Sequence, residues 1–206
     1  MNDALRKRLI NAALALSLTV GGGAATIYSK HTSGPTPELM LAKELGQHYE
    51  SSGKHIGTPY VDKVGKGQPL TVCAGVTGPE VVPGRYYTPA DCEALELSKY
   101  RDAERLAKRS LKHWGTYNVW VRASFIDVAY NVPSALQPDT TLMRLVNQAN
   151  DLQAACLQMP RWVYGTAKGV KVRLDGLVDR RGATRELCAE WGRDGHFSAE
   201  LLAGAQ

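Results

Sequence analysis

A chain of 206 residues, 44% of them hydrophobic, is one ordinary domain plus an appendage, or two small lobes sharing a core. Its 25 Lys and Arg against 20 Asp and Glu leave a net charge of +5, which suits an anionic partner without choosing among nucleic acid, acidic membrane and cell-wall polymer. There is no RNA-binding aromatic signature, no paired-Cys zinc spacing and no phosphate loop, so no nucleic-acid partner, metal or cofactor is expected.

The chain opens on a targeting segment. Arg6, Lys7 and Arg8 form a positive start, and residues 9–29 follow without a charge. That run is long enough for a bilayer, which needs about 20 mostly apolar residues, and longer than the roughly 7–15 of a signal-peptide core. It is also weak, with polar Asn11, Ser17, Thr19 and Thr26 and three adjacent glycines, Gly21, Gly22 and Gly23. Residues 1–30 read as an uncleaved anchor that can later leave the inner membrane. A signal peptide cleaved near Ala25 is the alternative. Either way the positive start faces the cytoplasm and the rest is exported. Residues 31–37 form a linker, and 38–206 the folded domain.

Thr36 and Pro37 mark a helix start, and Leu39, Leu41, Ala42 and Leu45 continue it at helical spacing to about residue 49. Residues 54–79, broken by Gly, Pro and Thr, suit a small sheet or hairpin pair. Thr88 caps a long helix running to about residue 112. Further helices are expected over 119–130, 141–148, 151–164 and 178–191. The layout is α+β: a small β-containing lobe, a long connecting helix and a helical lobe behind. Trp114, Trp120, Trp162 and Trp191 are expected to fill the helical lobe.

Cys73, Cys92, Cys156 and Cys188 lack metal-ligand spacing. An even count in an exported chain favours structural disulfides over buried free thiols, with three connectivities open.

Glycoside hydrolysis needs one protonated carboxyl for the leaving oxygen and a second group for water or nucleophile. Glu50 ends the first helix after the leader, Asp62 lies in the irregular lobe after Tyr60, and Thr71 begins an apolar run. Alone this triad is weak, because 20 acids make such pairs frequent and most are solvated surface groups.

The surrounding residues add weight. Glu50…Pro59-Tyr60-Val61-Asp62…Thr71-Val72-Cys73-Ala74-Gly75-Val76-Thr77-Gly78 resembles the catalytic stretch of phage-type lysozymes, glycoside hydrolase family 24. Tyr86-Tyr87-Thr88-Pro89-Ala90-Asp91-Cys92 resembles the entry to that family's long helix, and Ser124-Phe125-Ile126-Asp127-Val128-Ala129-Tyr130-Asn131-Val132 its central helix. Arg161-Trp162-Val163-Tyr164-Gly165 and Gly176-Leu177-Val178-Asp179-Arg180-Arg181 resemble its closing motifs. The leader resembles that of lambdoid endolysins whose signal anchor is released. Two features depart from the pattern. Eleven residues separate Glu50 from Asp62 and eight separate Asp62 from Thr71, each gap three longer than the family's usual one, and Val76 stands where a His is common.

The resemblance implies a lysozyme-like fold and a lysozyme activity on peptidoglycan that causes host lysis. Glu50 would protonate the glycosidic oxygen, Asp62 would orient or deprotonate the attacking water, and Thr71 would hold that water. Such an inverting displacement expects carboxyls about 6.5–9.5 Å apart. Arg180 or Arg181 would pair with Glu50, and Asn131 would cap its helix or touch sugar. His55 has no role in this reading. Proximity within lobes and the order of the motifs lead us to expect the pairs Cys73–Cys92 and Cys156–Cys188. The other readings are a lytic transglycosylase, which needs only the acid, and a non-catalytic, membrane-anchored wall-binding protein. The chain is expected to act as a monomer, at the periplasmic side of the inner membrane and then in the periplasm.

Overall fold

The computed structural model describes residues 1–18, 34–50, 55–62, 67–167 and 170–191. Among these, seven α-helices and two small sheets follow in the order α1 (Asp3–Leu18), α2 (Pro37–Glu50), β1 (Tyr60–Val61), β2 (Leu70–Val72), β3 (Val76–Thr77), α3 (Pro89–Ser110), α4 (Val119–Asn131), α5 (Thr141–Asn147), α6 (Leu152–Cys156), β4 (Tyr164–Ala167), β5 (Val170–Arg173) and α7 (Asp175–Ala189).

Helix starts are chemically specified. Thr88 accepts from Asp91 N–H, and the Asp91 carboxylate accepts from Thr88 N–H, which closes a reciprocal capping box at the head of α3. Asn118 accepts from the Trp120 and Val121 amides at the head of α4, so Asn118 is that helix's cap, and Asn131 is its last residue. Thr36 accepts from Leu39 N–H at the head of α2.

The helical lobe has one large apolar core. Leu39, Leu41, Ala42 and Leu45 of α2 pack there with Phe125, Ile126 and Val128 of α4 and Ala183 and Leu187 of α7. Each fully buried Leu, Ile or Phe contributes about 1.5–3 kcal/mol before the cost of ordering it. Trp120 and Trp191 are buried in this core, and Trp114 and Trp162 pack at its margin. The expected helix over 151–164 is shorter than its spacing suggested. It ends at Cys156, gives way to a 3-10 turn over Met159–Arg161, and is followed by the hairpin β4–β5. Pro160, with no N–H and a ring that hinders the preceding turn, stops the helix.

The small lobe holds the antiparallel sheet β1-β2-β3, with Tyr60 opposite Thr71 and Thr71 opposite Thr77. The Cys73–Gly75 turn between β2 and β3 has left-handed backbone at Cys73 (φ 57°) and Gly75 (φ 81°). Two disulfides are present, Cys73–Cys92 and Cys156–Cys188.

Helix α1 takes in Arg6, Lys7 and Arg8 and packs against α2, with Leu5, Leu9 and Ile10 buried in the helical core. Its N-terminal ammonium and Arg6 pair with Glu186 of α7, and Arg8 pairs with Glu44 of α2. Among the described residues no helix is long and apolar enough to cross a membrane. Gly21, Gly22, Gly23 and Ala25 lie outside the described residues.

Candidate active site

Glu50 is the last residue of α2, and its side chain is 24% exposed. A cleft of about 500 Å³ opens beside it between the two lobes. Gly75, Val76 and Thr77 line one wall, Lys99, Asp102 and Ala103 of α3 another, and Tyr130 and Asn131 of α4 the back. The chain passes close over the carboxyl: a Cβ at Gly75 would sit 3.0 Å from Glu50 Oε2.

A buried charge cluster holds that carboxyl from behind. Arg180 Nη1 donates to Glu50 Oε1, while its Nε and Nη2 donate to Asp127 Oδ1 at 3.0 and 2.7 Å. Arg181 and the Thr184 hydroxyl both donate to Asp127 Oδ2 at 2.8 Å. Burial alone would raise the Asp127 carboxyl, but Arg180 and Arg181 outweigh it and hold it below the usual range. Burial likewise opposes the charge on Arg180, and Asp127, Tyr100 and Glu50 overcome it. Of the two arginines, then, Arg180 meets Glu50, and Arg181 completes the cluster and reaches Asn131 Oδ1 at 3.4 Å.

Two aromatic rings and a glycine shape the approach. Tyr100 and Tyr130 stack at 4.1 Å, and Arg180 lies over the Tyr130 ring at 5.8 Å. A Cβ at Gly46, one turn before Glu50, would overlap the Tyr100 hydroxyl and come within 3.2 Å of Arg180 Nη2. Only a bare backbone lets these groups converge on the end of α2.

Asp62 follows β1, and its N–H donates to Pro69 O at 3.0 Å. Partial burial pushes the neighbouring Tyr60 hydroxyl up, and the charges of Asp62 and then Glu50 push it further. Both carboxyls therefore act on the same phenol. Thr71 is nearly fully buried in β2, where its hydroxyl donates to Pro69 O at 3.2 Å. It stands between Tyr60 and Thr77 in one cross-strand row, and such a row shares a sheet face. Thr77 lines the cleft; Asp62 and Thr71 do not. The long gaps on either side of Asp62 contain residues 51–54 and 63–66, which lie outside the described residues. His55 is exposed, with its ring 3.4 Å from the Tyr86 hydroxyl. Among the described residues no group of His, Cys, Asp or Glu has the arrangement of a metal site.

Sequence reasoning missed Asp127, Tyr100 and Gly46. For Asp127 a signal existed: a lone acid in the apolar run Phe125-Ile126-Asp127-Val128-Ala129 requires a buried cation.

Comparison with known proteins agrees with this architecture. The phage lysozyme family profile matches residues 47–184. A SAR-endolysin of Bacteriophage PS34 is 34% identical over 94% of this chain and 98% of its own length. One of Enterobacteria phage P21 is 34% identical over 87% and 95%. Among solved structures, an endolysin from Escherichia coli O157:H7 phage FAHEc1 superposes with a TM-score of 0.62 at 18% identity, over 79% of this chain and 97% of the other. The active form of the P1 phage endolysin Lyz gives 0.60 at 19% identity, over 91% and 97%. The chain belongs to the phage lysozyme family and is a glycoside hydrolase with the lysozyme-like fold.

Proposed function

We propose that the protein is a phage endolysin that hydrolyses the β-1,4 bond between N-acetylmuramic acid and N-acetylglucosamine in the host wall. The observation that carries this reading is the Glu50 carboxyl, which lines the cleft between the lobes, is held by Arg180 and remains partly exposed. Glu50 gives its proton to the glycosidic oxygen as the bond breaks. Asp62 takes the proton of the attacking water on the opposite face of the sugar, and Thr71 holds that water. The cross-strand row Tyr60, Thr71, Thr77 supports this division of labour, since Thr77 at one end lines the cleft and Tyr60 at the other feels the charges of both Asp62 and Glu50.

Before lysis the leader holds the enzyme at the periplasmic side of the inner membrane, with peptidoglycan out of productive reach. The relatives' name, SAR-endolysin, denotes signal-anchor release, and the weakly apolar run over 9–29 suits that route. The leader has no Cys, so no leader thiol takes part in the restraint. Leu9 and Ile10 belong to that run and also to the folded core, so docking of α1 follows exit from the bilayer.

Product analysis of digested peptidoglycan tests the reaction. New reducing ends are expected, and anhydro-sugars or no products would overturn it. Glu50→Gln should fold normally and lose at least about a thousandfold in rate, because an amide cannot donate the proton. Asp62→Asn should be severely impaired, and Thr71→Ala less so.

A further inference from the structure

Glu96 of α3 is 5% exposed, and both of its carboxylate oxygens are engaged. Oε1 accepts the buried backbone N–H of Ala74 at 3.0 Å. Oε2 accepts from Gln47 Nε2 at 2.7 Å and lies 3.9 Å from Lys43 Nζ. Lys43 and Gln47 sit one turn apart on α2, and Glu50 follows Gln47 by three residues, so they lie along the helix edge that ends at the acid. Ala74 is the middle residue of the turn whose next residue, Gly75, lies over Glu50. The other side of the Ala74 residue is held as well, since the Tyr130 hydroxyl donates to Ala74 O at 3.3 Å. Burial pushes that hydroxyl well up, and the charges of Glu50 and Glu96 both add to the effect, which places the two carboxylates around one ring.

A charged acceptor is an unusual choice for one backbone amide in so dry a place. A buried carboxylate is costly unless paired, and here Lys43, itself 4% exposed, lies 3.9 Å away while its ammonium bonds Glu93 at 2.7 Å. What the arrangement achieves is geometric. The disulfide fixes the turn to α3 at Cys73, Glu96 fixes it at Ala74, and Gln47 ties the same carboxylate to the helix that carries Glu50. We infer that Glu96 is a positioning residue for the reaction: it sets the Ala74–Gly75 turn, and with it the cleft wall, at a fixed distance from the Glu50 carboxyl. This rests on the reading of Glu50 as the acid.

The test uses the full chain, exported and oxidised, with kcat and KM measured from new reducing ends on purified glycan strands. Glu96→Met keeps the volume without the acceptor. Its kcat should fall about tenfold or more with KM little changed, since small misplacements of a reacting group cost rate steeply. Glu96→Gln keeps an acceptor oxygen but not the charge, and kcat should fall only about threefold, a neutral bond being about half as strong. In the Gln variant the Ala74 amide proton resonance should move upfield while those of the back lobe stay in place. A Met variant with wild-type kcat overturns the inference. So does a Gln variant with an unmoved Ala74 resonance or an unchanged kcat, and that variant decides the matter if the Met protein does not fold. Glu50→Gln, run alongside, separates the two ideas. If it turns over at the wild-type rate, the reading beneath this one fails and the inference with it. If it is inactive while Glu96→Met is normal, the inference alone fails.

Discussion

The two lobes are held together by different chemistry. Behind the cleft, all seven helices contribute to a broad apolar core around an ionic cluster, Asp127 with Arg180, Arg181 and Thr184. In front, the buried apolar cluster among the described residues is Val72, Cys73, Val76, Val81, Tyr87 and Cys92. A core that small cannot fix strand positions by packing alone, so the front lobe leans on point attachments: a disulfide, the Glu96 bond to Ala74, and the Tyr87 hydroxyl, which donates to Glu80 O at 2.6 Å. The proposed acid comes from the well-packed lobe and its proposed partners from the tethered one. Changes behind should therefore act first on stability, and changes in front first on rate.

The largest effect expected behind the cleft is that of Asp127→Ala. It leaves two buried guanidinium groups facing a void, and breaking a buried ion pair from one side costs about 3–5 kcal/mol. Urea melts of the full chain measure it. A loss below about 1 kcal/mol would mean that the cluster is not what anchors α7 to α4.

The disulfides sharpen the contrast. They close loops of 19 and 32 residues, and chain entropy assigns each about 3–4 kcal/mol. Similar losses of stability are expected from Cys73→Ser with Cys92→Ser and from Cys156→Ser with Cys188→Ser. Activity should part them. The back pair, replaced, leaves the folded fraction at nearly full rate. The front pair, replaced, slows the folded enzyme too, because Cys73 adjoins the turn over Glu50. Equal specific activities, normalised to folded protein by near-ultraviolet dichroism, would erase the distinction between the lobes.

Gly46→Ala comes next. Helix propensity alone favours Ala by about 1 kcal/mol. Here the added methyl meets the Tyr100 hydroxyl and Arg180, and overpacking of this kind costs about 1–3 kcal/mol. A net loss of stability is expected on thermal melting, accompanied by a drop in rate as Arg180 is displaced. A stabilised, fully active variant would show that the groups around the end of α2 have room to spare.

Gly46 also marks where legibility ends. The helix around it and the caps at Thr88 and Thr36 could be expected from residue types and order, because caps and apolar periodicity act locally. The disulfide pairing, one of three, rested instead on proximity within lobes and the order of the family motifs. Glu50, Asp62 and Thr71 stood out through motif context rather than through spacing. Asp127, Tyr100 and Glu96 act through partners that the fold brings from 53, 80 and 22 positions away along the chain. No local pattern announces such pairs. The hairpin β4–β5 was hidden for another reason: Trp162, Val163 and Tyr164 continue an apolar spacing that Pro160 had already ended.

The smallest effect concerns α1, where the contrast between packing and point attachment can be tested within one element. Leu5 and Leu9 of α1 are fully buried, while Glu186 receives the N-terminal ammonium at 2.7 Å, Arg6 Nε at 3.0 Å and Trp191 Nε1 at 3.3 Å. If α1 is held mainly by its apolar face, as the rest of this lobe is, Glu186→Gln should cost only about 1 kcal/mol, because the Arg6 pair is half exposed and screened and Gln still offers an acceptor to the buried ammonium. The pH dependence has a definite sign. Burial opposes the charge on Glu186, but the bonds from the ammonium, Trp191 and Arg6 outweigh it, and its carboxyl lies below the ordinary 4.5. A carboxyl depressed in the folded state stabilises above its unfolded value and loses that contribution as the pH falls through the folded one. Wild type and Glu186→Gln should therefore differ at neutral pH, and the gap should begin to close near 4.5 and vanish only once the pH has fallen through the lowered folded-state value. Melts across that range check it. A gap of several kcal/mol at pH 7, closing in acid, would show instead that ion pairs, and not Leu5 and Leu9, hold α1 against the rest of the lobe.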